Sequence, residues 1–272
     1  MKSIAVVLWL LLFSPADKKP EPASSCAQIL SGAVPPAIEQ PKQAMNYRLT
    51  TEYTMLNPTG GEAGTHIVTG DYTATADEIR WTSVTTGPAA GHAQPATHAE
   101  HQRFAEGVHY SRVDTRKVFT PEFFHDFPAT ATDERNLTWD QVMFDSFVHN
   151  LDKLRLNQPV AAQSGDVDLG GGGQFTNRRI ELTWVGIGRR NGEDCVLIHY
   201  EALLNHFTVD AKPITVTGRS DYLGDIWVSV RTHQIEYGTL LEEVAGTLTN
   251  LPGSPSPQPL HVLRVATLEH LQ

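Results

Sequence analysis

Ile214 to Leu248 reads ITVTGRSDYLGDIWVSVRTHQIEYGTLLEEVAGTL, and the phase of its side chains decides the fold. Gly224, Ile226, Val228 and Val230 alternate with Asp225, Trp227, Ser229 and Arg231. Successive side chains of a strand point to opposite faces, so one face here is apolar and the other mixed. Thr232-His233-Gln234 is too short a connection for a crossover, so the next run, Ile235–Leu248, pairs back antiparallel. A short helix at Leu240–Val244 (LLEEV) is the alternative, because brief apolar runs are ambiguous by period.

The same alternation recurs upstream. Tyr47, Leu49, Thr51, Tyr53 and Met55 alternate with Arg48, Thr50, Glu52 and Thr54, followed by a turn at Asn57–Gly61. Further strands are expected near Thr65–Thr75, Glu78–Thr86, Arg103–Phe104 and Val108–Val113. In the second half they are expected at Arg178–Gly188 and Cys195–Val209, joined by the hairpin turn Asn191-Gly192. One segment differs. Trp139, Met143, Phe147, Leu151 and Leu154 recur at helical spacing, with Thr138 and Gln141 as a capping box and Pro159 beyond. This predicts a helix over about 139–156. The fold class is therefore α+β, mostly β: a large antiparallel, half-barrel-like sheet with one main helix packed on it.

Residues 46–249 form the single β-rich domain in this reading. Residues 17–45, with Pro20, Pro22, Pro35, Pro36 and Pro41, are a Pro-rich arm. Residues 250–272, opening with NLPGSPSPQP, are a Pro-rich linker and a tail or closing edge strand. Gly165–Gly173 (GDVDLGGGG) lacks the residues of a phosphate-binding loop and reads as a linker. Lys2, the apolar run Ile4–Phe13 and Ser14-Pro15-Ala16 fit a secretory signal peptide over residues 1–16. The expected location is periplasmic or extracellular. An uncleaved N-terminal membrane anchor and lipidation of Cys26 are the alternatives. In an oxidising compartment the two cysteines, Cys26 and Cys195, can pair as a disulfide or stay as separate thiols.

The net charge of −10 argues against nucleic acid as a partner, which needs a basic face. No transmembrane span is expected in the mature chain, since ten apolar residues are too few. His92, His98 and His101 are close in sequence but match no metal-site spacing, so no metal and no cofactor are expected. His199 and Glu201 share one strand face and could form an acid–base pair, but no standard catalytic motif accompanies them. The chain is read as non-enzymatic.

Residues 46–120 carry a further pattern. A strand ends in Arg80-Trp81, a Pro-containing loop follows, and Gly107-Val108-His109-Tyr110 leads through a polar turn to Lys117-Val118. In these features the chain resembles the periplasmic lipoprotein-carrier (LolA-like) half-barrel proteins. It departs from them in a longer loop, Pro88–His101, and longer strands in its second half. The resemblance implies an apolar cavity between sheet and helix that holds acyl chains. Trp81, Phe104, Phe144, Phe147, Trp184 and Trp227 are the aromatics expected to line it, with an apolar small molecule or lipid as ligand; the alternative is that they are plain core on the covered face of the sheet. The alternative is a structural or interaction module whose partner is an envelope protein.

Overall fold

A computed structural model describes residues 32–37, 39, 44–89, 99–162, 164–170, 173–211 and 213–272. The expected signal peptide, Cys26, His92 and His98 lie outside these residues. Three long strands open the domain: β1 (Met45–Leu56), β2 (Glu62–Ala74) and β3 (Glu78–Pro88). Two short ones follow, β4 (Glu100–His101) and β5 (His109–Ser111), and then the helix α1 (Thr132–Val148). After it come β6 (Pro159–Ala161), β7 (Gly165–Gly170), β8 (Gly173–Asn177), β9 (Arg179–Arg190), β10 (Glu193–Ala211), β11 (Ile214–Ser229), β12 (Ile235–Thr249) and β13 (Gln258–Leu271).

All these strands join one open antiparallel sheet, in the order β4-β3-β2-β1-β13-β12-β11-β10-β8-β7. β9 pairs with the first half of β10, from Glu193 to Leu203, and β8 with its later part, His206 to Val209. The half-barrel-like, mostly β expectation therefore matches the fold. The Leu240–Val244 run is strand throughout, and Asn191 and Gly192 turn the β9–β10 hairpin with φ of 52° and 82°.

The chain's last segment, expected as a linker followed by a tail or a closing edge strand, is instead the central strand β13. It pairs with β1 from Asn46–Leu271 to Met55–Val262 and with β12 on its other side. Its alternation of Val262, Ala266 and Leu268 on the buried face fits that position. Arg103–Phe104 lies in turns rather than a strand.

The helix also differs from expectation, starting seven residues earlier and ending at Val148. Leu151 begins a separate 3₁₀ turn, Leu151–Lys153, and Leu154 is extended. Both are buried, so their helical spacing reflects burial rather than helix. No side chain caps the N-terminus at Ala131, and Thr138 lies in the interior of the helix.

Polar side chains tie α1 to the concave face of the sheet. Asp133 meets His66 at 2.8 Å, Glu134 accepts from Thr86 at 3.0 Å, and Gln141 accepts from Tyr110 at 2.7 Å. Asp145 accepts two bonds from Arg112, at 2.6 and 2.8 Å. Apolar contacts close the gaps: Phe144 packs directly on Gly238, where a Cβ would meet its ring at 2.9 Å. Phe123, Phe124 and Phe127 cover the other side of α1, with Phe124 edge-on to Trp139 at 5.6 Å.

Candidate functional site

A cleft of about 700 Å³ opens between α1, the β7–β8 hairpin and the strands β11, β12 and β13. Val142, Met143 and Phe147 of α1 form one wall, and Val167, Leu169 and Phe175 of the hairpin form the facing wall. Ile180, Tyr222 and Leu240 contribute from the sheet. Arg116, His149 and Lys153 stand exposed at the rim.

The sequence places the hairpin wall there by a local device. β10 is irregular between Ala202 and Asn205, where Leu204 takes a φ of 60°. The buried Asn205 side chain spans this break, donating to Ala202 O at 2.9 Å and accepting from Arg178 N at 3.3 Å. Asn177 accepts from Tyr222 Oη at 3.0 Å. The chain thus leaves β8 and enters β9 at a held corner, with β7–β8 turned over the cleft. Gly165, Asp166, Val167 and Leu169, from the glycine-rich stretch expected as a linker, belong to this wall.

The floor of the cleft is charged. Tyr53, Arg264, Glu242 and Tyr222 stand side by side across β1, β13, β12 and β11. Arg264 donates from Nη1 to Glu242 and from Nη2 to Asp140 of α1, and its guanidinium lies 5.3 Å from the centre of the Tyr53 ring. The buried Ser220 hydroxyl donates to the other Glu242 oxygen. Arg264 Nε is buried with no acceptor among the described residues. Burial pushes the Asp140 carboxyl up to about 6; Arg264 opposes this and Glu242 adds to it. Burial works against the charge on Arg264, but Asp140 and Glu242 hold it well above its ordinary value. Two carboxylates and one guanidinium leave one surplus negative charge beneath the apolar walls.

Of the six aromatics expected in a cavity, Phe147 alone borders this cleft. Phe144 lies just beneath, edge-on to Tyr200 at 6.3 Å. Trp81 is core, tilted against Tyr72 at 5.0 Å. Trp184 is fully buried and donates to Gly186 O at 2.7 Å. Phe104 is edge-on to Phe127 at 5.0 Å, away from the cleft. Trp227 is on the convex face opposite Leu197, packed over Gly188. Its phase follows directly from the alternation of β11, so a cavity loses this tryptophan.

His199 and Glu201 lie on the same convex face. His199 Nδ1 is 3.0 Å from Asp225 and Nε2 is 3.5 Å from Glu201, and none of the three borders the cleft described above. His101 pairs with Glu106 on the surface at 3.0 Å. Among the described residues no group of three or more His, Cys, Asp or Glu is placed to hold a metal, and no helix is long and apolar enough to cross a membrane. Cys195 is fully buried, and burial pushes its thiol up to about 12. Its expected partner, Cys26, is outside the described residues.

Asp140, Glu242 and Arg264 were not anticipated. A signal existed: Glu242 shares the phase of Leu240, and Arg264 that of Val262 and Ala266, so both are charges at core-facing strand positions. No protein-family model matches the chain, and no curated protein matches it significantly.

Proposed function

We propose that this is an exported, non-enzymatic protein that binds or carries one apolar, lipid-like molecule in the cleft between α1 and the sheet. The observation that carries this reading is the cleft itself. Its volume of about 700 Å³ falls in the range of small-molecule sites, and Val142, Met143 and Phe147 face Val167, Leu169 and Phe175 across it as two apolar walls, with polar and charged groups at the floor and rim. Both floor carboxylates are engaged by Arg264. The resemblance of residues 46–120 to lipoprotein-carrier half-barrels points the same way.

The test is uptake of a fluorescent long-chain probe by delipidated protein. Saturable, one-to-one enhancement that is lost in Met143→Asp supports the reading. Absence of uptake, or uptake indifferent to that substitution, opposes it. A second reading, an interaction module, is favoured by one observation. Leu223, Leu241 and Val265 align across β11, β12 and β13 on the convex face, each at least 39% exposed. Cross-linking in the envelope through these positions tests it.

A further inference from the structure

The cleft floor selects the polar end of whatever the walls hold. Three observations bear on this. The floor carries one surplus negative charge from Asp140 and Glu242 against Arg264, all three at least nine-tenths buried. Arg264 borders the cleft, and its buried Nε–H has no acceptor among the described residues. Ser220 already spends its hydroxyl hydrogen on Glu242. Buried donors without partners are costly, and a buried charge without a counter-charge is more so.

Each class of head group meets this floor differently. A carboxylate or phosphate would bring a second negative charge against the buried floor carboxylates. An ammonium would offset the surplus charge, but it would sit beside a buried guanidinium and leave Nε–H unpaired. A hydroxyl can hydrogen-bond to both groups without bringing in charge. It donates to a floor carboxylate, and its oxygen accepts from Arg264 Nε after a small shift of the guanidinium. We infer that the cleft takes amphiphiles with an uncharged, hydroxyl-bearing polar end, of the long-chain alcohol or monoacylglycerol kind, and discriminates against free fatty acids and alkylamines.

The inference rests on the apolar-ligand reading of the same cleft, and one experiment separates their failures. Delipidated full-length protein is loaded with the neutral probe N-phenyl-1-naphthylamine at pH 8. It is then titrated with 1-monododecanoylglycerol, dodecanol, dodecanoate and dodecylamine below their micellar concentrations. The two hydroxyl compounds are expected to displace the probe at concentrations about tenfold or more below those of the acid and the amine. Equal or tighter competition by dodecanoate or dodecylamine overturns the inference, as does a bound probe that none of the four displaces; in both cases the cleft remains a ligand site. A probe that does not bind at all removes both readings. In Asp140→Asn/Glu242→Gln the floor becomes net positive, and dodecanoate should gain at least tenfold relative to dodecanol. No gain in a variant that keeps the native near-ultraviolet circular dichroism spectrum also overturns the inference. The wild-type series stands alone if that variant does not fold.

Discussion

Asp140 of α1 accepts a hydrogen bond from Nη2 of Arg264 in β13, at 2.5 Å, and this pair joins the helix to the centre of the sheet at the floor of the cleft. The residues are 124 positions apart in sequence. Arg264 also holds Glu242 from the neighbouring strand, so one guanidinium bridges two buried carboxylates.

Removing the guanidinium strands both carboxylates. Arg264→Met should destabilise the fold by about 3–5 kcal/mol, the usual cost of breaking a buried charge pair. Replacing all three together, as Asp140→Leu/Glu242→Leu/Arg264→Met, should cost far less, because no buried charge is then left alone. Urea unfolding of both variants measures the contrast.

Asp140 also gives the stability a pH dependence of unusual sign. Its carboxyl is pushed from the ordinary 3.8 up to about 6. Between those values the folded state holds a proton that the unfolded chain has released. Stability rises with pH only where the unfolded state binds more protons, so this group's contribution falls as pH rises through the window. The wild-type unfolding free energy, minus that of Asp140→Asn, should therefore decline by roughly 1–3 kcal/mol from pH 4 to pH 6.5. A difference that stays level or grows would show that Asp140 is not raised.

Gly224 marks a place where the sheet admits no side chain. A Cβ there would lie 1.9 Å from Thr239 O and 2.7 Å from Tyr200 Oη, and Tyr200 Oη itself donates to Thr239 O at 2.7 Å. Gly224→Ala should lower stability by about 1–3 kcal/mol or more through forced backbone movement. Gly186→Ala, with open space at its Cβ, should be close to neutral. Thermal melts of the two variants give the comparison.

Cys195 should be chemically silent in the folded protein. It is fully buried and its thiol is pushed up to about 12, so little thiolate forms at neutral pH. In Cys26→Ser the remaining thiol should react with a disulfide reagent only after urea unfolding. Rapid labelling of the native variant would contradict the packing described for β10.

Much of the fold was legible because strand alternation survives in single segments. The outward phase of Trp227 follows from Leu223–Val230 alone, and the hairpin of β11 and β12 from the short connection Thr232-His233-Gln234. The helix was harder to place because its sheet-facing side is built from Asp133, Glu134, Asp140, Gln141 and Asp145. Only their partners on other elements make those positions internal. Leu151 and Leu154 then supplied a false continuation. β13 was hidden by the prolines before it, which mark a turn rather than the end of the domain. The cleft's floor depends on the register of β12 against β13, which pairs Glu242 with Arg264, and no local pattern states that register.

The most direct measurement of ligand binding in the cleft is photo-cross-linking of delipidated protein with a diazirine-bearing long-chain monoacylglycerol, followed by peptide mapping. The account predicts label concentrated on α1 around Met143 and Phe147 and on the β7–β8 hairpin, suppressed by excess unlabelled monoacylglycerol. Label confined to the convex row of Leu223, Leu241 and Val265, or spread without competition, would contradict it.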